Sequence, residues 1–232
     1  MSTIVPCTCG SIGADPNAVR QCSEHFRIFR GDKRLASVGS VIRDTWPIKK
    51  NFEDADPAVL ENARDRGVVC DELFSAWLNG TLTRIPAGTR TDAVERFEAL
   101  RKWWESNGFA NTAAQVLLAD GEIAGIADLV SVTEYPLIID IKNVSAIDQT
   151  YYLQLGGYAD LYQEYFGRDV HSLGVLHVTQ SRDKPVSVKY VDVPVEPALK
   201  DWRTLREMWQ VVRRRTVYFN SDEGGLKCQE PH

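Results

Sequence analysis

Two carboxylates and one ammonium stand close together in the middle of this 232-residue chain. Asp128 ends the run Gly125-Ile-Ala-Asp, and Asp140 and Lys142 flank Ile141 at the end of the apolar run Leu137-Ile-Ile. Side chains alternate along a strand, so Asp140 and Lys142 leave one face while Ile141 points away into the core. Burying two acids and a lysine at the end of an apolar strand is costly as a stability device. It is what phosphodiester hydrolysis needs. Mg²⁺ or Mn²⁺, held by a few carboxylate oxygens and waters, would generate a hydroxide and neutralise charge building on phosphorus. Lys142 could orient or deprotonate the attacking water and offset phosphate charge. The backbone carbonyl of Ile141 could add one more hard oxygen ligand.

An acid two residues before a lysine is a weak signal, because average composition produces about one or two in a chain this long. Here Lys142 alone among nine lysines has an acid at that offset. Its neighbours make the pattern rarer. Residues 113–119, 122–133 and 137–142 read as three strands, joined through Asp120-Gly121 and Glu134-Tyr135-Pro136 into an antiparallel meander. Leu137-Ile-Ile is the most apolar run, so its strand should be central. Ser145-Ala-Ile-Asp148 resembles a capping box opening a helix to about Phe166. Gln154 and Tyr158, four apart, share one face of that helix.

Upstream, residues 26–40 read as a hairpin with its turn at Gly31-Asp32, and Phe26, Ile28 and Leu35 on one side. Ser40 is placed to cap a short helix that Pro47 ends. Asp56 and Pro57 start a long helix reaching Leu78, with Gly67 inside it to admit another backbone. Thr91 caps a helix over 92–106. Downstream come strands over 170–178 and 185–193 and a final helix over 196–216, ending in Arg213-Arg-Arg215. That triplet suits a helix C-terminus, and together with Lys49-Lys50 it is also a candidate set of phosphate contacts. His171 and His177 fall on a strand away from the acids and read as structural. The order of elements predicts a mixed α/β fold, a central mixed sheet with an antiparallel meander flanked by helices.

The pattern Gly125-x-x-Asp128, Asp140-Ile-Lys142, Gln154-x-x-x-Tyr158 resembles the PD-(D/E)xK nuclease superfamily, and within it the RecB-type exonucleases, phage-encoded and CRISPR-adaptation nucleases included. The likeness covers residues 57–166 and weakens in the hairpin at 26–40. It implies a restriction-endonuclease-like core, metal binding by Asp128 and Asp140, catalytic assistance by Lys142, and DNA contact or site bracing by Gln154, Tyr158 and Arg66. It also implies an early helix with Arg-Gly followed, four residues after the glycine, by a metal-binding His. This chain has Arg66-Gly67 but Asp71 at that place, and Asp is a competent hard ligand. A Glu expected on the strand before Gly-x-x-Asp is Gln115 here. The implied activity is a Mg²⁺- or Mn²⁺-dependent DNA nuclease, an exonuclease in phage or bacterial DNA recombination or repair. The alternatives are a DNA-binding or assembly protein on the same fold without the chemistry, and a structure-specific endonuclease.

Residues 1–25 lie outside the likeness. Cys7-x-Cys9 and Cys22-x-x-His25 could hold a structural Zn²⁺, or belong to an arm with reduced thiols. The domain reading is an arm over 1–25, a nuclease domain over 26–218 and a loose tail over 219–232. Five cysteines, an odd number, argue against a disulfide framework. No apolar run is long enough for a membrane span, and the N-terminus lacks the layout of a signal peptide, so a cytoplasmic protein is expected, in the bacterial host cell if phage-encoded. The net charge of −5 leaves DNA binding to a local basic patch. Oligomeric state is unspecified.

Overall fold

Leu137-Ile-Ile-Asp-Ile carries apolar side chains on both faces, which only a strand covered on both sides can bury. The computed structural model describes residues 19–21, 27–46, 56–181 and 184–221, excluding the side chains of Arg20 and of residues 215–221. The elements in chain order are β1 (Val19–Gln21), β2 (Ile28–Arg30), β3 (Lys33–Arg34), β4 (Ala36–Ser37), α1 (Val38–Thr45), α2 (Pro57–Leu78), α3 (Thr91–Asn107), β5 (Thr112–Ala119), β6 (Ile123–Ser131), β7 (Leu137–Lys142), α4 (Gln149–Phe166), β8 (Ser172–Thr179), β9 (Ser187–Val193) and α5 (Val195–Ser221). The fold is mixed α/β: a central mixed sheet flanked by helices.

The sheet has six strands. The meander β5–β6–β7 forms as the turn residues predict, and β8 then pairs parallel to β7 and antiparallel to β9. A parallel neighbour requires a crossover, and α4 is that crossover. β5 covers one edge of β6 along its length. The other edge is shared: β4 pairs at Ile123 and Ala124, and β7 pairs at Leu129, Val130 and Ser131. Between them, from Gly125 to Asp128, that edge has no strand partner among the described residues.

One face of the sheet is packed by α1, α4 and α5, with Val41, Leu155, Tyr162 and Trp202 fully buried. α2 and α3 cover the other through Cys70, Phe74, Phe97 and Leu100, which meet Ile139, Ile141 and Leu176. In an unbroken strand, residues two apart share a face. Yet Ala114 packs under α2 and α3 whereas Val116 joins the opposite layer, and Leu129 and Ala127 divide in the same way. The change of face falls at Gln115 and Asp128. Gln115 has φ 55°, a left-handed conformation uncommon for a side-chain-bearing residue.

Three helix starts differ from expectation. Ser37, not Ser40, caps α1: its Oγ accepts Ser40 N–H at 3.0 Å, while Ser40 Oγ donates back to Ser37 O at 2.7 Å. Asp148, not Ser145, caps α4 by accepting Thr150 N–H. Thr91 is the first helical residue of α3, and the cap position is Arg90, whose side chain runs instead to Asp92 and Asn62. Asp56 caps α2 as predicted. β4 was not expected. β1 pairs with β2, so residues 19–21 belong with the hairpin rather than the arm. α5 runs on to Ser221, into the stretch read as tail. Cys7, Cys9, Cys22, His25, Phe26, Pro47 and Lys49-Lys50 lie outside the described residues. The zinc reading lies there too.

Gly67 does not admit a backbone. A Cβ there would meet only Asn143 Cβ, at an ordinary 3.7 Å. The glycines that matter for packing are on α4. A Cβ on Gly156 would lie 2.2 Å from Ala198 O, so α5 can cross only because that position is bare. An internal polar cluster fixes the same crossing. Asp160 accepts from Trp202 Nε1, Arg203 Nε and Arg206 Nη1, and Arg206 also reaches Asp120 in the β5–β6 turn. Gly156→Ala is therefore expected to cost about 3 kcal/mol in urea unfolding. Gly39→Ala, in helix α1 with open space around it, should be neutral or gain up to ~1 kcal/mol. Equal stabilities for the two variants would refute the close crossing.

Candidate active site

Where β6 and β7 part, backbone pairing stops after Leu129 and Ile139. The next free donor, Ile141 N–H, is taken by Asp128 Oδ2 at 2.8 Å. A side chain thus replaces a strand at the mouth of the fork and pins Asp128 beside Asp140. The other oxygen of Asp128 accepts from Gln115 Nε2 at 3.5 Å. The alternation predicted for β7 holds: Ile141 packs under α2 and α3, and Asp140 and Lys142 point to the other face.

Asp140 is 1% exposed. Its Oδ2 lies 2.7 Å from Lys142 Nζ, and its buried Oδ1 has no hydrogen-bond partner. Burial pushes its carboxyl up to about 7, against the pull of Lys142 and with the charge of Asp128 adding to the rise. Burial alone would lower the pKa of Lys142, but Asp140 and Asp128 outweigh it and hold the side chain as an ammonium. The Tyr151 ring lies 4.9 Å from Lys142 Nζ, a cation–π contact that limits where the ammonium can swing.

Asp71 arrives from α2. Asn143 Nδ2 donates to its Oδ1 at 3.2 Å, tying the helix to the end of β7. Burial, then the charges of Asp128 and Asp140, raise the Asp71 carboxyl well above the carboxylate range, with Lys142 opposing. The structure therefore brings Asp71, Asp128, Asp140 and Lys142 into one electrostatic unit. Among the described residues, no three His, Cys, Asp or Glu side chains close on a single point as a finished metal cage would. Each acid is turned instead onto a protein donor.

Gln154 and Tyr158 face the same fork from α4. Gln154 Nε2 donates to Tyr158 Oη at 2.7 Å, and Tyr158 is buried on Gly125, where a Cβ would sit 2.6 Å from its ring. Burial and the nearby Asp140 and Asp128 keep the phenol protonated. The first glycine of Gly125-x-x-Asp128 is thus the seat of the last residue of Gln154-x-x-x-Tyr158. Arg66 lies on α2 near Asp92, at 3.8 Å. The strand read for the two histidines is not away from the acids: β8 is the parallel neighbour of β7, with His177 opposite Lys142, and there His177 Nε2 donates to Val144 O at 2.8 Å and braces the loop after β7, while His171 packs edge-on against Tyr135. Asn143 and Tyr151 escaped the sequence reading. The available signals were adjacency to Lys142 for the first and helical spacing from Gln154 for the second.

A second feature lies beyond β4. Arg27, Arg34, Arg43 and Arg213 line a cavity of about 730 Å³ with Ser37 and Ser40, and Arg213 stacks at 4.7 Å on Trp209. One acid, Asp44, also lines it, and accepts from Trp209 Nε1. Of the arginine triplet, Arg213 is placed at this basic cavity. No helix among the described residues is long and apolar enough to cross a membrane.

The chain matches no family model and no curated protein. Several solved structures are similar in the course of the chain. A candidate exonuclease from Eubacterium rectale is 11% identical, with 84% of this chain and 91% of that one covered and a TM-score of 0.48. An alkaline exonuclease from Laribacter hongkongensis is 12% identical over 80% of this chain and 94% of its own, with a TM-score of 0.33. The same enzyme in complex with dAMP is 10% identical over the same shares, with a TM-score of 0.35.

Proposed function

We propose that this chain is a Mg²⁺- or Mn²⁺-dependent deoxyribonuclease acting as an exonuclease in the recombination or repair of phage or bacterial DNA. The observation that carries the reading is the β6–β7 fork. There Asp128, Asp140 and Lys142 meet Asp71 from α2 and the Gln154–Tyr158 pair from α4. Three carboxylates that raise or crowd one another, one of them with a buried unpartnered oxygen, fit a hard divalent cation by charge and donor type. Asp128, Asp140 and Asp71 would hold it, with the Ile141 carbonyl as a further donor. When bound, it would neutralise charge on the phosphate and lower the pKa of a water. Lys142, held as an ammonium, is a donor rather than a base: it orients the attacking water and meets negative charge on the phosphate. Tyr151 holds Lys142 in place, and Tyr158 and Gln154 brace the strand that carries Asp128. The basic cavity beyond β4 offers a landing for more of the DNA backbone.

The openness of the acid cluster favours a second reading, a DNA-binding or assembly protein on this fold without chemistry. One assay separates the two. Purified protein is incubated with linear and covalently closed DNA, with Mg²⁺, Mn²⁺ or EDTA, alongside Lys142→Ala. The expected result is metal-dependent loss of linear DNA, survival of closed circles and a rate at least ~10²-fold lower in Lys142→Ala. No degradation of any substrate would leave the binding protein, and cutting of closed circles would indicate an endonuclease.

A stability measurement tests the cation without activity. A folded carboxyl at about 7 against an unfolded value near 3.9 means the fold favours the protonated acid. That stabilisation is full below the unfolded value and is lost as pH rises through about 7. In EDTA the melting temperature should therefore fall between pH 5 and 8, with Asp140→Asn flattening the fall. Mg²⁺ or Mn²⁺ should restore the wild type more at pH 8 than at pH 5. A cation effect equal at both pH values would count against binding at Asp140.

A further inference from the structure

Asn143 follows Lys142 directly at the end of β7, and contacts from α2 and β8 fix it there. Its Nδ2 donates to Asp71 Oδ1 at 3.2 Å. The same amide hydrogen-bonds the Cys70 thiol in the sense that favours the thiolate, so the nitrogen is the donor there as well. Gly67 lies about one turn before Asp71 on α2. The Asn143 side chain rests against that bare position, where an added Cβ would be 3.7 Å from its own. On the strand side, His177 stands opposite Lys142 and holds Val144 O at 2.8 Å, which pins the backbone just past Asn143.

The amide is thus committed through one atom only. Its nitrogen carries two N–H donors, and both serve α2. Its oxygen, Oδ1, is buried with no hydrogen-bond partner among the described residues. The carboxylate at Asp71 decides which atom is which, because the amide turned over would set its oxygen against an acid. A buried acceptor without a donor is unfavourable as a structural brace. Asp140 Oδ1, three residues back along β7, is in the same state, on a residue that is 1% exposed. Two unpartnered buried acceptors beside the same acids call for one complement. A hard divalent cation with its water shell supplies it, since it attracts oxygen directly and offers hydrogen-bond donors through its waters.

We propose that Asn143 is a further residue of the cation site: its nitrogen holds Asp71 in place and its oxygen faces the hydrated cation. The cation rests on the nuclease reading; the role of the amide rests on its two differently committed ends. Asn143 has no part in the sequence pattern that marks Asp128, Asp140 and Lys142. It enters the site because the strand stops there and the next side chain falls against the bare stretch of α2.

The test measures cation binding by the full chain at pH 8 without DNA. Free Mn²⁺ is titrated by its electron paramagnetic resonance signal, and melting temperatures are taken in EDTA and in Mn²⁺ or Mg²⁺. The variants are Asn143→Ala, Asn143→Asp and Gly67→Ala. Asn143→Ala should weaken Mn²⁺ binding at least about tenfold. Asn143→Asp keeps an oxygen and loses the donor, and it should stay within about threefold of the wild type, because added ligand charge offsets the lost hold on Asp71. Gly67→Ala touches Asn143 only at Cβ, in ordinary contact, and should bind Mn²⁺ as the wild type does. Melting in EDTA reports whether each variant folds; if Asn143→Ala does not, Asn143→Leu, closer in volume, replaces it. Wild-type affinity in Asn143→Ala or Asn143→Leu overturns the inference. So does an Asn143→Asp as weak as Asn143→Ala, which would reduce the amide to a brace. If the wild type binds no cation, the inference and the nuclease reading fall together. If it binds Mn²⁺, loses it in Asn143→Ala, keeps it in Asn143→Asp and degrades no DNA, the inference stands and the nuclease reading falls.

Discussion

One hydrogen bond organises this molecule: Ile141 N–H to Asp128 Oδ2. A buried backbone donor must find an acceptor, and strands normally supply each other's. At the fork β6 cannot, because its pairing with β7 has ended and β4 takes up the same edge only four residues back. The acceptor comes instead from an acid on β6. That choice opens a notch in the middle of a sheet without orphaning its backbone, and it aims a carboxylate at the notch. Asp140, unpaired at one oxygen, and Lys142 follow from strand alternation alone.

The helices then close the notch from two sides, and each does so through a contact that admits little else. Tyr158 lies on bare Gly125, so the ring occupies the volume a side chain would need. Asn143 reaches across to Asp71, so the end of β7 and the middle of α2 share a hydrogen bond. Gln115 adopts a left-handed backbone where β5 and β6 change faces, next to the acid it contacts. Strained conformations of this kind persist only where the surroundings over-determine them, and they gather at functional sites.

Much of this was legible in the residues. The meander, the crossover helix and the placement of Asp140 and Lys142 follow from period-two alternation and turn chemistry, which are local. The Asp71 position was legible through the family resemblance, which places a metal ligand four residues after Gly67. The starts of α1, α3 and α4 were not. Ser37 and Ser40 are both good caps in composition, and the choice between them depends on β4 pairing with β6, a contact over more than eighty residues of chain. Arg90 was unreadable as a cap for a similar reason: its side chain is committed to Asn62 on a different helix. The purpose of Gly67 was misjudged because a vacancy on a helix does not say whether a backbone or a side chain fills it.

The bare face of α4 has a consequence for biosynthesis. Gly156 and Gly157 leave that face of the helix bare, and Ala198 and Trp202 of α5, with Val38 of α1, lie directly against it. A chain still emerging from the ribosome has the acids, the lysine and both strands of the fork before it has that lid of tryptophan. Until α5 docks, α4 rests on the sheet and on α1, with its bare glycine face uncovered on the α5 side. The helix that walls one side of the notch is thus backed by an element that leaves the ribosome only after every residue of the fork.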